Sequence, residues 1–412
     1  MMTSKIGLFS VLKGMLLLVI CWSLSGCWDR QEIEERAVIL GIGIDQAEPD
    51  AEKKELPLSH KPGHLQIPGQ KMIRLTVQVA VPGRIPLGPG TGGGESSAGG
   101  SKTVWVVSGV GHTIDDAING LQQRIAPPLF FGHLRVIVVA KEVAQNGLVN
   151  LNDYFRRNPD IRRMSWMFIS KSKAMDIMKA SPQLERVPSL YLMTTMDEAV
   201  KMGRFPNDFL GLFWSSSSAK GKEGFLPYCE LDGQNNIQIS GLAYFRGDKL
   251  VGTTDGFDIT LYMGLMGMNP SSSQAYVKLP GTSEYLEYSG RSRKALTKVD
   301  IEDGKPHVRV KVMVEGNIRE KSNEKVELSH DIIQLMERQL EQDAVKLYLD
   351  FIHRTQMKGA DIFGFGEHIR SRQWKYWDQH IKTEEQWQNM YPDLKVDVQV
   401  KVQIRRVGMK AI

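Results

Sequence analysis

The sequence predicts an α+β fold with mixed and antiparallel sheets and packed helices, arranged as three domains behind a removable leader. Three observations predict it. Two-residue alternation of apolar and polar side chains marks strands in "MIRLTVQVAV" and "KVDVQVKVQI". Strand-like and helix-like stretches take turns across 103–180. Near the C-terminus one apolar stripe runs along a helix over 329–357, suited to covering a sheet with one wet face.

The leader comes first. Residues 1–14 hold Lys5 and Lys13 and no acid, and the apolar stretch "GMLLLVICWSLSG" follows. That stretch is too short for the ~20 apolar residues a spanning helix needs. A charged start, a short apolar middle and small residues before a cut describe a signal peptide over 1–26. The sequence Leu24-Ser25-Gly26-Cys27 resembles the lipobox of bacterial lipoproteins. That resemblance implies a diacylglyceryl lipid on the Cys27 thiol and cleavage just before it. Two acyl chains hold a protein to a membrane stably, whereas one does not. Asp29, Glu32, Glu34 and Glu35 outnumber Arg30 and Arg36 just beyond, so anionic lipids add no attraction here and the lipid carries the attachment.

Removing 26 of 412 residues leaves 386, enough for two or three domains. Lys5 and Lys13 leave with the leader, which takes the formal charge from +5 to +3 and gives no reason to expect nucleic acid. Cys21 leaves as well, and with Cys27 lipidated only Cys229 stays a thiol, so the mature chain is expected to hold together by core burial without a disulfide.

The N-terminal α+β domain is expected over 27–205. "AVILGIGID" reads as a buried strand, and 46–70 as a Pro-rich loop. In "MIRLTVQVAV" Ile73, Leu75, Val77, Val79 and Val81 share one face. The Gly/Ser-rich segment 83–102 reads as a hairpin loop before the strand "KTVWVVSGV". Thr113 is placed to cap a helix carrying Ile114, Ala117, Ile118, Leu121 and Ile125. "LRVIVVA" is a strand, a helix follows through Phe155, and then come the strand "SWMFIS" and the helix "KAMDIMKA". A small β-rich middle domain is expected over 206–282, with a hairpin at Gly247-Asp248. The C-terminal α+β domain, 283–412, has the strand "HVRVKVMVEG". Its long helix starts near Ser329, is striped by Ile332, Met336, Leu340, Ala344, Leu347 and Phe351, and ends at Gly359. A second helical stretch is capped by Asp361, and the last strand is expected to lie antiparallel beside its partner.

Motifs of chemistry are absent from the sequence. "GESSAGGSKT" fails as a phosphate loop: Ser101 separates the last glycine from Lys102, and a strand follows where a helix is needed. Two S-x-x-K matches lack the S-D-N and K-T-G partners of penicillin-binding enzymes. His60 and His64 are four apart, but Pro62 and Gly63 forbid the helix that would make them a metal pair. Trp374, Trp377 and Trp387 with Tyr376 and Tyr391 read as packing between helices and sheet. Arg291, Arg293, Lys294 and Lys298 read as a solvated loop face. No enzyme is expected.

Several stretches together resemble the Ger(x)C spore germination lipoproteins: "GCWDRQEIEERAVILGIGID", "GHTIDDAINGLQQRIAPPLFFGHLRVIVVAKEVAQNGL", "ADIFGFGEHIRSRQWKYW" and "VQIRRVG". The resemblance implies three α+β domains in an elongated arrangement. It implies the C subunit of a nutrient germinant receptor, lipid-anchored on the outer face of the spore's inner membrane. Its partners would be an integral A subunit and a permease-like B subunit, with no cofactor beyond the Cys27 lipid. The alternative is a solute-binding lipoprotein of a transporter, which should show two doubly wound lobes around a cleft. "PPLFFGH" supplies one nominated partner surface. If the segment is extended, Phe130 and Phe131 cannot both point into the core and one of them faces a partner; burial of both in an irregular turn is the favoured alternative.

Overall fold

Two sheets organise the chain in the computed structural model, which describes residues 13–15, 32–54, 71–81, 103–182, 185, 187–233, 236–268, 274–279, 282–323 and 328–406. Cys27, the leader apart from 13–15, residues 55–70 and the loop 83–102 lie outside the described residues.

The first sheet opens with an antiparallel meander of β1 (Ala37–Gln46), β2 (Ile73–Ala80) and β3 (Val104–Gly111). Helix α1 (Ile114–Gln122) follows, with the Thr113 hydroxyl accepting the Asp116 N–H and Ile114, Ala117, Ile118 and Leu121 buried, as the spacing requires. The short β4 (Leu129–Phe130) and β5 (Val136–Ala140) both run parallel to β1. Helices α2 (Lys141–Asn146) and α3 (Val149–Arg157) lead to β6 (Trp166–Ser170), parallel to β5. β5 and β6 are buried at every residue, which is why they read as continuous apolar runs. Helix α4 (Ala174–Lys179) has no cap from its own N-cap side chain. The buried Asp45 at the end of β1 accepts the Ala174 and Met175 N–H groups instead. Helices α5 (Pro188–Lys201) and α6 (Leu210–Ser217) complete the crossover to β7 (Phe225–Leu231).

β8 (Ile237–Arg246) and β9 (Lys249–Thr253) form the hairpin expected at Gly247-Asp248, with Gly247 at φ +60°. These strands do not make a domain of their own. β7 pairs with β6 and β8, so the order is β3-β2-β1-β5-β6-β7-β8-β9, with β4 beside β1. The expected middle domain over 206–282 is therefore divided. Its strands up to Thr253 extend the first sheet, because β7 follows a helical crossover and enters parallel to β6. Helix α7 (Gly256–Leu265) is capped by Asp255, and β10 (Gln274–Lys278) joins the second sheet.

The second sheet has the order β10-β11-β12-β13. β11 (Tyr285–Glu302) and β12 (Lys305–Lys321) form a long hairpin turning at Asp303 and Gly304, both with positive φ. The basic run 291–298 is thus strand, not loop, and Arg293 is 5% exposed, donating to the Thr260 carbonyl at 3.0 Å. The Asp-Gly pair was the available signal, since a two-residue turn of that type needs positive φ at both positions. Helix α8 (His330–Gln356), capped by Ser329, covers the sheet; α9 (Phe365–Arg372) and α10 (Glu384–Met390) follow, and β13 (Lys395–Arg406) closes the sheet. β13 lies parallel to β12, against the antiparallel expectation. A helix of this length runs ~40 Å back along the sheet, so the next strand enters at the end where β12 began. The stripe on α8 also shifts by one residue: Tyr348 is buried and Leu347 is exposed, so the contact line passes from Ala344 to Tyr348 and on to Phe351 and Ile352. A single apolar core joins Val136, Phe168 and Leu242 of the first sheet to Val308, Val310 and Phe351 of the second unit.

Candidate functional site

No group of three or more His, Cys, Asp or Glu among the described residues could hold a metal ion. The Cys229 thiol is fully buried, and burial pushes it up to about 12, far from a nucleophile's range. His307 is buried between two carboxylates, Glu302 on Nδ1 at 2.6 Å and Asp397 on Nε2 at 2.8 Å. This bridge spans β11, β12 and β13 and fixes their register at one end. The two sheets are unequal, with nine strands and four, and are not paired lobes around a cleft.

The most constructed region is the joint where the two sheets' units meet, and the stretch "ADIFGFGEH" builds one side of it. Asp361 is 1% exposed; its carboxylate accepts the N–H of Gly364 at 2.9 Å, the N–H of Gly366 at 2.8 Å and the Trp387 indole N–H at 3.1 Å. Asp361 therefore does cap the second helical stretch, from three residues before its N-cap residue, Gly364. Burial raises its pKa to about 6 despite those donors. Gly364 sits at φ +75°, where a side chain would be strained. Gly366 lies against Trp387 and against the backbone of Gly221, and a Cβ at Gly221 would come 2.4 Å from the Gly366 carbonyl carbon. Two short backbone bonds follow from that approach: Glu367 N–H to the Gly221 carbonyl at 2.9 Å, and Glu223 N–H to the Asp361 carbonyl at 2.8 Å.

Glu223 stands at the centre of this joint. It accepts the Gly247 N–H at 2.8 Å and the Gln388 side-chain amide at 2.6 Å, tying the β8–β9 hairpin to α10. Burial raises its pKa to about 7. Asp208 is also buried, with one oxygen lacking any hydrogen-bond partner, and burial pushes it well above the usual carboxylate range. On the far side Arg354 of α8 forks onto Asp258 of α7, at 2.9 and 2.6 Å. The expected aromatic packing holds for Trp377, Trp387 and Tyr391, all buried, whereas Trp374 is 58% exposed.

The nominated pair separates. Phe131 is 5% exposed and belongs to the core, while Phe130 is half-buried on β4. The Arg36 guanidinium lies over the Phe130 ring at 4.7 Å, and the His133 ring meets its edge at 6.0 Å. Gln122 fixes this corner: its amide donates to the Ile125 and Pro127 carbonyls, and its oxygen accepts the Leu129 N–H at 2.9 Å. That clamp is what "GLQQRIAPPLFFGH" encodes. Cys27, the remaining nominated residue, lies outside the described residues. No helix among the described residues is long and apolar enough to cross a membrane.

The sequence matches two family models in succession: the spore germination protein N-terminal domain over 29–231, and the spore germination B3/GerAC-like C-terminal domain over 240–408. The first match ends with β7 and the second begins inside β8, so the boundary lies within the first sheet. YfkR of Bacillus subtilis, named for spore germination, is 28% identical over 97% of both chains. Spore germination protein KC of the same organism is 24% identical over 97% of this chain and 96% of its own. The crystal structure of the GerBC protein matches with a TM-score of 0.53 at 17% identity, covering 81% of this chain and 94% of that one, and bears out the multi-domain α+β fold. With matches spanning both halves in order, the chain belongs to the GerAC family of spore germination proteins.

Proposed function

We propose that this chain is the lipid-anchored C subunit of a spore nutrient germinant receptor, acting by protein–protein contact. The observation that carries this reading is the unbroken match to both family domains, from residue 29 to residue 408 with a short gap, beginning two residues after the lipobox cysteine. The diacylglyceryl group on Cys27 holds the chain at the outer face of the spore's inner membrane. Arg36 lies nine positions after Cys27, and an extended chain covers at most ~3.3–3.6 Å per residue, so Arg36 stays within roughly 32 Å of the lipidated residue, with Phe130 beside it. This corner is the membrane-proximal end of the body, and Phe130 is its candidate contact with the integral A and B subunits. The joint at Asp361 and Glu223 ties the rest of the body to that end.

Detergent extraction of spore inner membranes followed by affinity purification of this chain tests the reading. The A and B subunits are expected in the eluate at amounts comparable with the bait. Their absence, with the bait alone recovered from the membrane, would overturn it. Amino acids and sugars are expected to leave the melting temperature of the isolated chain unchanged; a ligand at 100 times its Kd would add ~2.7 kcal/mol and favour a solute-binding role.

A further inference from the structure

β13 is the outer strand of the second sheet: it pairs with β12 and with no further strand among the described residues. In a parallel pair, alternate residues turn their N–H and C=O groups to opposite sides of the strand. Val402 and Ile404 turn theirs away from β12, because their N–H groups donate to Glu341 at 3.0 Å and Glu337 at 2.8 Å, both on α8. The ladder is in register from Lys395 to Ile404, so Val396, Val398 and Val400 face the same open side. Carboxylates on an exposed edge are a device that blunts strand addition. Here it stops at Val402. Among the described residues no side chain takes the Val398 or Val400 N–H.

Beside those two residues a groove of about 620 Å³ opens between α8 and the strand. Its helix side is lined by Glu341, Gln342, Val345 and Lys346, with Val345 as its apolar residue, and Leu349 one turn further on is 37% exposed. Lys311, on the opposite face of the sheet, and Lys346, on the helix, line its mouth, and neither has an ion pair among the described residues. Lys401 pairs with Glu341 at 3.0 Å and closes the far end.

We propose that the Val396–Val400 edge of β13 is a docking site for an extended segment of another protein, which adds as a fifth strand with apolar and acidic residues in alternation. The alternation follows from the two faces of the groove. Every second side chain would lie beside Val345 and Lys346, and those between would lie beside Gln399, with Lys311 one strand further in. A second copy of this chain would bring the same lysines to the same edge and be repelled. A lipid headgroup surface carries no row of backbone groups to match a strand. The edge has this character whether or not Cys27 is lipidated, so the test stands apart from the anchored-subunit reading.

The test uses the full mature chain and two acetylated peptides, VEVEVEV and VKVKVKV. VEVEVEV is expected to bind with a Kd at least about tenfold lower. Hydrogen exchange at the Val398 and Val400 amides should slow in its presence, with Val402 and Ile404 unchanged. Val400→Pro removes one outward N–H, as proline on an edge can, and should abolish the slowing while the amides of β11 and β12 keep their exchange protection. Lys311→Glu with Lys346→Glu should reverse the peptide preference, and keeps the test decisive if the proline variant misfolds. Equal binding of both peptides, slowing elsewhere in the chain, or the same protection from phosphatidylglycerol vesicles or from self-association alone would overturn the proposal.

Discussion

At Glu223 and Asp361, burial and hydrogen bonding pull in opposite directions. Each carboxylate accepts hydrogen bonds that favour its ionised form, yet burial is the larger effect and raises Glu223 to about 7 and Asp361 to about 6. A raised carboxylate binds its proton more tightly in the folded state. Its cost to stability is absent below the ordinary pKa, grows as pH rises through the folded value, and is constant above it. Stability should therefore fall between about pH 4 and pH 7 on account of these groups. In Glu223→Gln the difference in urea midpoint between pH 5 and pH 7.5 should shrink; an undiminished difference would show that Glu223 is not its source. The Phe pair gives a second comparison at this scale. Phe131→Ala should cost ~3 kcal/mol, as for other buried rings, and Phe130→Ala under ~1 kcal/mol, both measured by denaturant unfolding. The sequence leaves open whether one of the two turns outward, and which, because the choice depends on β4 pairing with β1 and on the Gln122 clamp, relations that the local pattern does not carry. Gly221 was silent in sequence for the same reason: its role is the approach of Gly366 from 145 residues away. Gly221→Ala should lower the melting temperature by several degrees.

Elements with a local signature were legible. The Thr113 and Ser329 caps, the Gly247-Asp248 turn and the alternating strands are set by residues a few positions apart, and each is where the pattern put it. What the pattern could not carry was direction and partner. β13 alternates as cleanly in a parallel sheet as in an antiparallel one, since one-sided burial depends on α8 covering one face. The drift from Leu347 to Tyr348 likewise reflects α7 and Arg293 meeting the C-terminal half of α8, where the Tyr348 hydroxyl accepts a hydrogen bond from the Arg293 guanidinium. The Glu337 and Glu341 carboxylates on α8 give a test at this scale. With both changed to alanine, the Val402 and Ile404 amides should lose exchange protection while the other strands of the sheet keep theirs. Retained protection would mean something other than these side chains covers the edge.

At the scale of the molecule, the two family regions share one sheet and one core, so the body is a continuous support and not beads on a string. The Arg354–Asp258 fork and the Glu223–Gln388 contact cross between its units, and breaking either should loosen the joint. Arg354→Ala leaves the buried Asp258 carboxylate without its main partner; a cost of ~2 kcal/mol is expected, discounted for the half-exposed guanidinium. Under the proposed reading, a body of this kind, held by lipid at one end, would present its surfaces to integral neighbours. The anchoring itself is tested most directly by the mass of the mature N-terminal peptide from spore inner membranes, read beside the fractionation of Cys27→Ser. The account predicts a peptide that begins at Cys27 and carries a diacylglyceryl group, and a Cys27→Ser chain that remains uncut or leaves the membrane. A mature chain with a free Cys27 thiol, or a Cys27→Ser chain cut and retained in the membrane as before, would contradict it.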